Sequence, residues 1–355
     1  MTDAPVRAGV KSDVVIFAAG AALAAFGFYI LVVAKSVLVP FVIAVLAWYL
    51  VNAMATVSRR LRIRGRVLPV YVRFAIALLV VALLSWLVID LVISNIGQVI
   101  AAAPSYERNL RLALEKAADW VGLEEAPQIS ELLQGGHLTI IIRNVAWSVT
   151  GILGSLGTVA IYLVFLLLEQ HSFGKKLAAL FSNADREARV RQILERIGAD
   201  IQSYIWLKTV ISVLTAVGSY VVMKIVGVDL AAFWALLIFA LNYIPYIGSW
   251  LGVIFPTLLA LVQFDTLGPF FTTAAALSVV QFTFGSIVEP RIMGSGLNLS
   301  PVVMLLSLAV WGLIWGVVGL FLAVPLMVVA MIVCSQFDAT RPIAILMSAH
   351  GELRT

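Results

Sequence analysis

Charged residues and cysteine are both scarce in this sequence. Of its 355 residues, 12% are charged and 62% are hydrophobic, whereas about 25% of the residues in a soluble domain are charged. No folded core of this size could hide so much apolar surface from water, so most of that surface must face lipid. The lone cysteine, Cys334, excludes a disulfide bond within the chain and implies nothing more.

Motifs that mark several classes of enzyme are also missing. The three histidines lie outside the apolar runs, and no His-Glu-x-x-His zinc motif occurs. The run Gly294-Ser295-Gly296 does not match the Gly-x-Ser-x-Gly elbow of a hydrolase. A Gly-Lys-Ser/Thr phosphate loop is absent, so ATP-driven transport by this chain alone is not expected. The sequence predicts a protein that is not an enzyme, with no catalytic residue, no metal site and no cofactor.

The net charge of +5 does not indicate a nucleic-acid partner. The basic residues stand beside apolar runs, where they set orientation in a membrane. Five of them, all arginine, occur between Arg59 and Arg66 and predict a cytoplasmic loop between two spans. Binding of RNA or anionic lipid is the less favoured interpretation of this run. The loop predicts that the amino terminus lies in the cytoplasm.

The apolar residues occur in long continuous runs, unlike the alternation over about ten residues that is typical of a membrane β-barrel. The two longest runs, 230–264 and 292–337, each exceed the roughly 20 residues that one crossing needs. The sequence therefore predicts an all-α polytopic membrane protein with about eight apolar segments, surrounded by the lipid bilayer.

The amino-terminal half divides into membrane and surface segments. Residues 1–93 are predicted to hold membrane helices 1 to 3. The first of these is retained rather than removed as a signal peptide, because its apolar run is too long for a signal. Residues 94–138 are predicted to be an outer amphipathic helical insert, 139–169 membrane helix 4, and 170–200 a cytoplasmic amphipathic helix.

The remaining residues are predicted to form a carboxy-terminal transport core, 201–340, with interrupted helices, and a cytoplasmic tail, 341–355. Lys208 lies one to two turns inside the first span of this core. Snorkelling of its ammonium group to the interface explains its position more simply than a role in a site.

Proline and glycine interrupt the apolar runs of this core. Pro245 lacks an amide hydrogen and breaks a helix, and the freed backbone groups are tolerated only against protein or a water-filled cavity. Gly248 allows close packing next to this break. The sequence favours discontinuous or re-entrant helices over 230–264 and 301–335, and long kinked helices that cross fully are the alternative. Two interrupted segments around a few polar groups are typical of a transporter's binding region.

Two charged residues, Glu289 and Arg291, lie between the interrupted segments. One interpretation is that they pair with each other and anchor a loop. The other is that Glu289 titrates, or contacts the substrate or a cation, as the site alternates. If both segments are hairpins, Arg291 faces the cytoplasm; if both cross the membrane, it faces outside.

Polar groups inside a membrane are costly and tend to be functional. An amide next to freed backbone carbonyls forms a neutral polar site that suits a hydroxylated small molecule or a cation. Hydrogen bonding between helices is the alternative role for Gln281. The candidate substrate-binding or ion-binding residues are Asn242, Tyr243, Pro245, Tyr246, Gly248, Gln281, Glu289, Arg291 and Asn298.

Three motifs of the core resemble those of the autoinducer-2 exporter family of bacterial membrane proteins. They are N-Y-I-P-Y-I-G-S-W-L-G-V-I-F-P at 242–256, V-E-P-R-I-M-G-S-G-L-N-L-S-P-V-V at 288–303 and V-V-G-L-F-L-A-V-P-L at 317–326. The resemblance covers about residues 10 to 340, since the order of the segments agrees as well. The family usually has histidine or a similar residue where this chain has Asn298, which bears on ligand specificity if that position contacts ligand.

The resemblance implies a secondary transporter in the bacterial inner membrane that exports autoinducer-2 or a similar small polar solute. Some relatives are assigned sodium/proton exchange, so a coupling cation or proton is the alternative partner. A third hypothesis is a membrane scaffold or channel-like oligomer that transports nothing against a gradient. The resemblance also implies a homo-oligomer, with a pentamer as the stoichiometry to test.

Overall fold

The computed structural model describes residues 6–57, 137–181, 183–293 and 298–352, together with short stretches between 62 and 109. Within this part of the chain the fold is helical, apart from one isolated bridge and a two-stranded ribbon in which β1 (Arg62–Ile63) pairs antiparallel with β2 (Arg66–Val67). The all-α prediction is thereby confirmed. Most of the predicted outer insert, 94–138, lies outside the described residues, as do Arg59 and Arg60.

The described helices from α3 onward follow one another with short connections. In chain order they are α1 (Val6–Val33), α2 (Lys35–Val57), α3 (His137–Leu180), α4 (Ala184–Val226), α5 (Ala231–Leu241), α6 (Ile247–Gln263), α7 (Leu267–Phe282), a π-helix (Thr283–Val288), α8 (Glu289–Met293), α9 (Pro301–Ser335) and α10 (Arg341–Met347).

Several of these helices are long and apolar enough to cross a membrane. Four qualify singly: Lys35–Ala55, Ala184–Val226, Leu267–Ile292 and Pro301–Ser335. A bent pair within α3, which turns by 66° near residue 171, would make a fifth. The described part of the chain thus supports a multi-pass membrane protein with four or five helical segments of sufficient length to span a membrane, and the count of about eight apolar segments stays a prediction.

Helix α4 organises the carboxy-terminal half. Its 43 residues correspond to about 64 Å, roughly twice the apolar thickness of a bilayer. Its first turn is capped by Asn183, whose Oδ1 accepts hydrogen bonds from the amides of Asp185 and Arg186. The predicted amphipathic helix over 170–200 is divided in the structure, because α3 ends at Leu180 and α4 begins at Ala184. One long helix therefore joins the polar surface segment to the membrane core.

The first interrupted segment is a helical hairpin. Helices α5 and α6 have 11 and 17 residues, so each is shorter than a full crossing. They run antiparallel, since Trp234 near the start of α5 stacks on Phe255 of α6 at a ring distance of 6.3 Å. At the turn, the carbonyl oxygen of Leu241 lies so close to Gly248 that a Cβ there would be 1.8 Å from it. The structure has the predicted break near Pro245, and the re-entrant course of the segment through the membrane stays a prediction.

The second interrupted segment, α9, also reverses direction. Gly316 has φ 63° and ψ −141°, a conformation that other residues rarely adopt. Ser307 Oγ donates to the carbonyl oxygen of Ala323 at 3.3 Å, whereas residues this far apart in a straight helix would be separated by about 24 Å. Helix α9 therefore consists of two arms that pack against each other on either side of Gly316.

The buried contacts of α4 hold both hairpins in place. Near its middle, Ile201 and Tyr204 pack in one cluster with Val324 and Val328 of the second arm of α9. Towards its end, Met223 packs with residues of α5, α6 and α7. The segment that joins the two halves of the core, from α7 through the π-helix to α8, packs along the same helix.

Candidate functional site

A cavity of about 770 Å³ lies where α4, the α5–α6 turn, α7 and the loop before α9 meet. Its volume falls in the range of small-molecule sites. The cavity brings together six of the nine candidate residues, and Tyr243, Gly248 and Arg291 do not line it. The six are Asn242, Pro245, Tyr246, Gln281, Glu289 and Asn298.

A buried ion pair forms the most polar part of the cavity wall. Lys208 Nζ of α4 donates to Glu289 Oε1 at 2.5 Å, and their side chains are 4% and 22% exposed. The expectation that Lys208 reaches the membrane interface is therefore wrong. Its ammonium group remains inside the protein because a carboxylate meets it there, which compensates for the loss of hydration.

The expected pairing of Glu289 with Arg291 is also wrong. The two residues are two positions apart in α8, and residues with this spacing lie on opposite sides of a helix. Glu289 faces α4, and Arg291 is exposed. The observed partner is 81 residues away in the chain, so no local spacing could indicate it.

Asn242 lines the cavity at the end of α5. Its side-chain Nδ2 donates to Ser212 Oγ of α4 at 3.0 Å, and both residues are buried. The helix ends here because Pro245 follows within one turn. Asn242 therefore connects the broken hairpin to α4 one turn beyond Lys208.

Tyr243 has a different role from its neighbour. Its hydroxyl lies 2.7 Å from Thr209 Oγ1 of α4, and its ring stacks on Phe321 of the second arm of α9. These contacts join both hairpins to α4 outside the cavity. Gly248 likewise serves packing, because its Cα lies against the carbonyl group of Leu241.

Gln281 lines the cavity from α7 and lies against a glycine of the first hairpin. A Cβ at Gly252 would be 2.7 Å from Gln281 Nε2, so the glycine makes room for the amide. Gln281 is buried, and its Oε1 has no hydrogen-bond partner among the described residues. The amide oxygen can therefore accept a hydrogen bond from a ligand or water.

Asn298 holds the carboxy-terminal segment against the cavity. Its Nδ2 donates to the carbonyl oxygen of Glu352 at 2.6 Å, and its own carbonyl accepts from the amide of Ala349 at 3.0 Å. Ala349 and His350 consequently line the cavity. Part of the segment predicted as a tail, 341–355, is thus a short helix followed by a strand-like return to the core.

Sequence reasoning missed Lys208, Tyr204 and Ser212, all of which lie in or beside the cavity. A signal for two of them was present: Lys208, Ser212, Thr215 and Ser219 recur at the spacing of one helical face. In a membrane span, a polar face at this spacing indicates contact with protein or water rather than lipid.

The cavity offers an ammonium–carboxylate pair, two or more amides and several hydroxyls within a multi-pass helical protein. No group of three or more histidine, cysteine, aspartate or glutamate residues suited to a metal ion occurs among the described residues. A cavity that holds charged and amide side chains between broken membrane helices is typical of a membrane transporter. Residues 16–338 match the model of the AI-2E family transporter, and the chain belongs to that family.

The relatives support the same class. The chain is 30% identical over 319 residues to the AI-2 transport protein TqsA of Escherichia coli (strain K12), covering 89% of this chain and 90% of the relative. It is 27% identical to YhhT of the same strain, with 82% of each chain covered. The chain is also 26% identical to a Haemophilus influenzae protein that is named as a transport protein, with 82% of this chain and 84% of the relative covered. The family and these relatives are named as transporters, not as enzymes.

Proposed function

We propose that the protein is a secondary transporter that exports a small polar solute, autoinducer-2 or a similar molecule, through the cavity. The observation that carries the proposal is the cavity itself, because it places Glu289, Asn242 and Gln281 beside two broken helices. The name of the TqsA relative supplies the candidate solute. The chain acts without enzymatic chemistry, and an ion gradient or the gradient of the solute provides the free energy.

A cation/proton antiporter is the second candidate, and the Lys208–Glu289 pair favours it. A buried carboxylate that is neutralised by a lysine can exchange that partner for a proton or a sodium ion. Proteoliposomes with imposed sodium or proton gradients distinguish the two functions. An antiporter moves protons in response to sodium without any solute, whereas an exporter moves autoinducer-2. If the solute and ion fluxes both equal those of empty vesicles, both transport functions are excluded and the scaffold hypothesis is retained.

The proposal includes a topology in the bacterial inner membrane. Each hairpin, α5–α6 and the two arms of α9, enters the membrane and returns to the side from which it entered. Both termini lie in the cytoplasm. The 11 residues of α5 support this arrangement, because they are too few to cross. The assembly is a homo-oligomer, and native mass spectrometry in detergent would show whether it is a pentamer.

Cysteine labelling tests the topology. In a Cys334→Ser background, Arg291→Cys should react with an impermeant thiol reagent only after the cells are opened, because Arg291 is exposed and faces the cytoplasm if both hairpins re-enter. A permeant reagent applied to intact cells serves as the positive control. Labelling by the impermeant reagent in sealed, right-side-out cells would exclude the double-hairpin topology.

A transport assay tests the cavity. We expect Asn242→Ala to lower autoinducer-2 flux in proteoliposomes about 10-fold or more, because the variant removes a donor from the cavity and leaves Ser212 Oγ unpaired. The matched control is Thr272→Ala, since this threonine is exposed and its hydroxyl bonds only within its own helix. Equal flux in Asn242→Ala and Thr272→Ala would contradict the assignment of the cavity as the binding site.

A further inference from the structure

A polar stripe continues from the cavity into the protein along one face of α4. Lys208, Ser212, Thr215 and Ser219 are 3%, 0%, 1% and 0% exposed. Their spacing places them on the same side of the helix over a rise of about 16 Å, roughly half the apolar thickness of a bilayer. Buried polar residues on one face of a membrane helix are typical of solute and ion pathways.

Two neighbouring helices add hydroxyl groups to the far end of this stripe. Thr257 of α6 and Thr273 of α7 are buried. Each lies one turn from a member of a single buried cluster that contains Met223 of α4, Ala260 of α6 and Leu277 of α7. Helix α6 runs alongside α4, since Gln263 bonds to the carbonyl of Gly227, whereas α7 runs in the opposite direction and brings Gln281 to Gly252. Ser219 and Thr257 therefore lie on one side of the cluster and Thr273 on the other, so the three hydroxyls are spread along the packed faces of the three helices.

These hydroxyls are not used by the fold. Ser219 Oγ, Thr257 Oγ1 and Thr273 Oγ1 have no hydrogen-bond partner among the described residues, and the same holds for Gln281 Oε1 in the cavity wall. Other hydroxyls of the same helices do have partners: Thr215 Oγ1, for example, donates to the carbonyl of Ile211 at 2.8 Å. Buried polar groups in proteins are nearly always satisfied, so several unsatisfied groups in one region indicate a missing ligand or water.

The chemistry of the site selects the ligand. Its members are three hydroxyls and one amide oxygen, and none carries a charge. The hydroxyls can donate or accept a hydrogen bond and the amide oxygen accepts one, so together they match a neutral, hydroxylated molecule. The charged pair Lys208–Glu289 lies at the other end of the stripe, beside the cavity.

We propose that Gln281, Ser219, Thr257 and Thr273 line a path that leads from the cavity towards the far end of α4 and binds the hydroxyl groups of a neutral solute. The proposal rests on the proposed function as a transporter, and it adds the next positions of the solute along its path. Gln281 belongs to both the cavity and this path, and the amide of Asn242 in the cavity wall bonds to Ser212 of the stripe.

Apolar isosteres separate this role from a structural one. Thr273→Val and Thr257→Val remove hydroxyls that lack partners, so a purely structural role predicts unchanged flux and an unchanged or higher melting temperature. The proposal predicts that the flux of autoinducer-2 is at least 10-fold lower, while the melting temperature is again unchanged or higher. Thr272→Val, one position away and exposed, is the control and should retain wild-type flux.

A labelling experiment tests the path without depending on transport. In the Cys334→Ser background, Ser219→Cys and Thr273→Cys should react with 2-aminoethyl methanethiosulfonate at least 10-fold faster than Thr272→Cys, because a thiol ionises only where water reaches it. Added autoinducer-2 should slow both reactions. Rates no higher than that of Thr272→Cys would overturn the proposal, and protection by sodium instead of the solute would overturn its ligand class. Fast labelling in a protein that gives no flux above empty vesicles would reject the transport function and retain the polar path.

Discussion

The flux of the Glu289→Gln protein is expected to be about 100-fold lower than that of the wild type, and its free energy of unfolding is expected to fall by roughly 3 kcal/mol. The reason is that Lys208 remains buried while its counter-charge is gone. Removal of one partner of a buried ion pair is among the most destabilising of substitutions, because it leaves an uncompensated charge. Flux in proteoliposomes and thermal unfolding in detergent measure the two effects.

The double variant Lys208→Met/Glu289→Gln separates stability from function. It has no charge at either position of the pair, so we expect its stability to return to near that of the wild type, or to exceed it. Its flux should remain low, since the cavity has lost the groups that contact the solute or the coupling ion. Additive effects of the two substitutions would show that the residues do not act as a pair.

A surface ion pair provides the matched control for this experiment. Arg191 donates to Glu187 at 2.7 Å in the first part of α4, and both side chains are partly exposed to solvent. Exposed pairs of this kind contribute about 0 to 1 kcal/mol. Glu187→Gln should therefore leave both flux and melting temperature close to those of the wild type.

Gly248→Ala and Gly319→Ala are expected to have the largest effects on the two hairpins. A Cβ at either position would lie 1.8 Å from a backbone carbonyl oxygen, that of Leu241 or Trp311. Backbone atoms cannot rotate away as a side chain can, so the arms must move apart. We expect the free energy of unfolding of each variant to fall by at least roughly 3 kcal/mol, the upper end of the cost of overpacking. Each variant should also transport poorly, because both hairpins adjoin the cavity.

Gly157→Ala is the control for these two variants, since no atom lies within 4 Å of the position of its Cβ. Alanine in a helix is favoured over glycine by roughly 0.5 to 1 kcal/mol, so this variant should be as stable as the wild type or more so. Thermal unfolding of all three proteins makes the comparison. A melting temperature of Gly319→Ala equal to that of Gly157→Ala would show that the arms of α9 do not pack as described.

The features that follow from local chemistry could be predicted from the sequence. Continuous apolar runs require helices in lipid, and the described residues form helices. Pro245 breaks the first interrupted segment because it lacks an amide hydrogen, and the structure has a turn there between α5 and α6. Nine residues of the core were predicted as candidates because polar groups and helix breaks in a membrane tend to be functional, and six of them line one cavity in the structure.

The partners of those residues depend on contacts between distant parts of the chain. Lys208 could be interpreted as snorkelling because its own helix contains no carboxylate within one turn that could pair with a buried ammonium. Only the packing of α4 against α8 brings it to Glu289, 81 residues later. The return of the carboxy-terminal segment to Asn298 has the same origin, since it depends on backbone hydrogen bonds between residues far apart in the chain.

The composition and periodicity of the chain thus determine that it is a helical membrane protein with breaks in its core. Lipid permits only helices or closed barrels, the continuous apolar runs favour helices, and proline prevents a continuous helix. The tertiary structure decides which polar groups meet. Helices pack through contacts that no local pattern encodes, so the ion pair, the reversal at Gly316 and the unsatisfied hydroxyls beside α4 exist only in the folded chain.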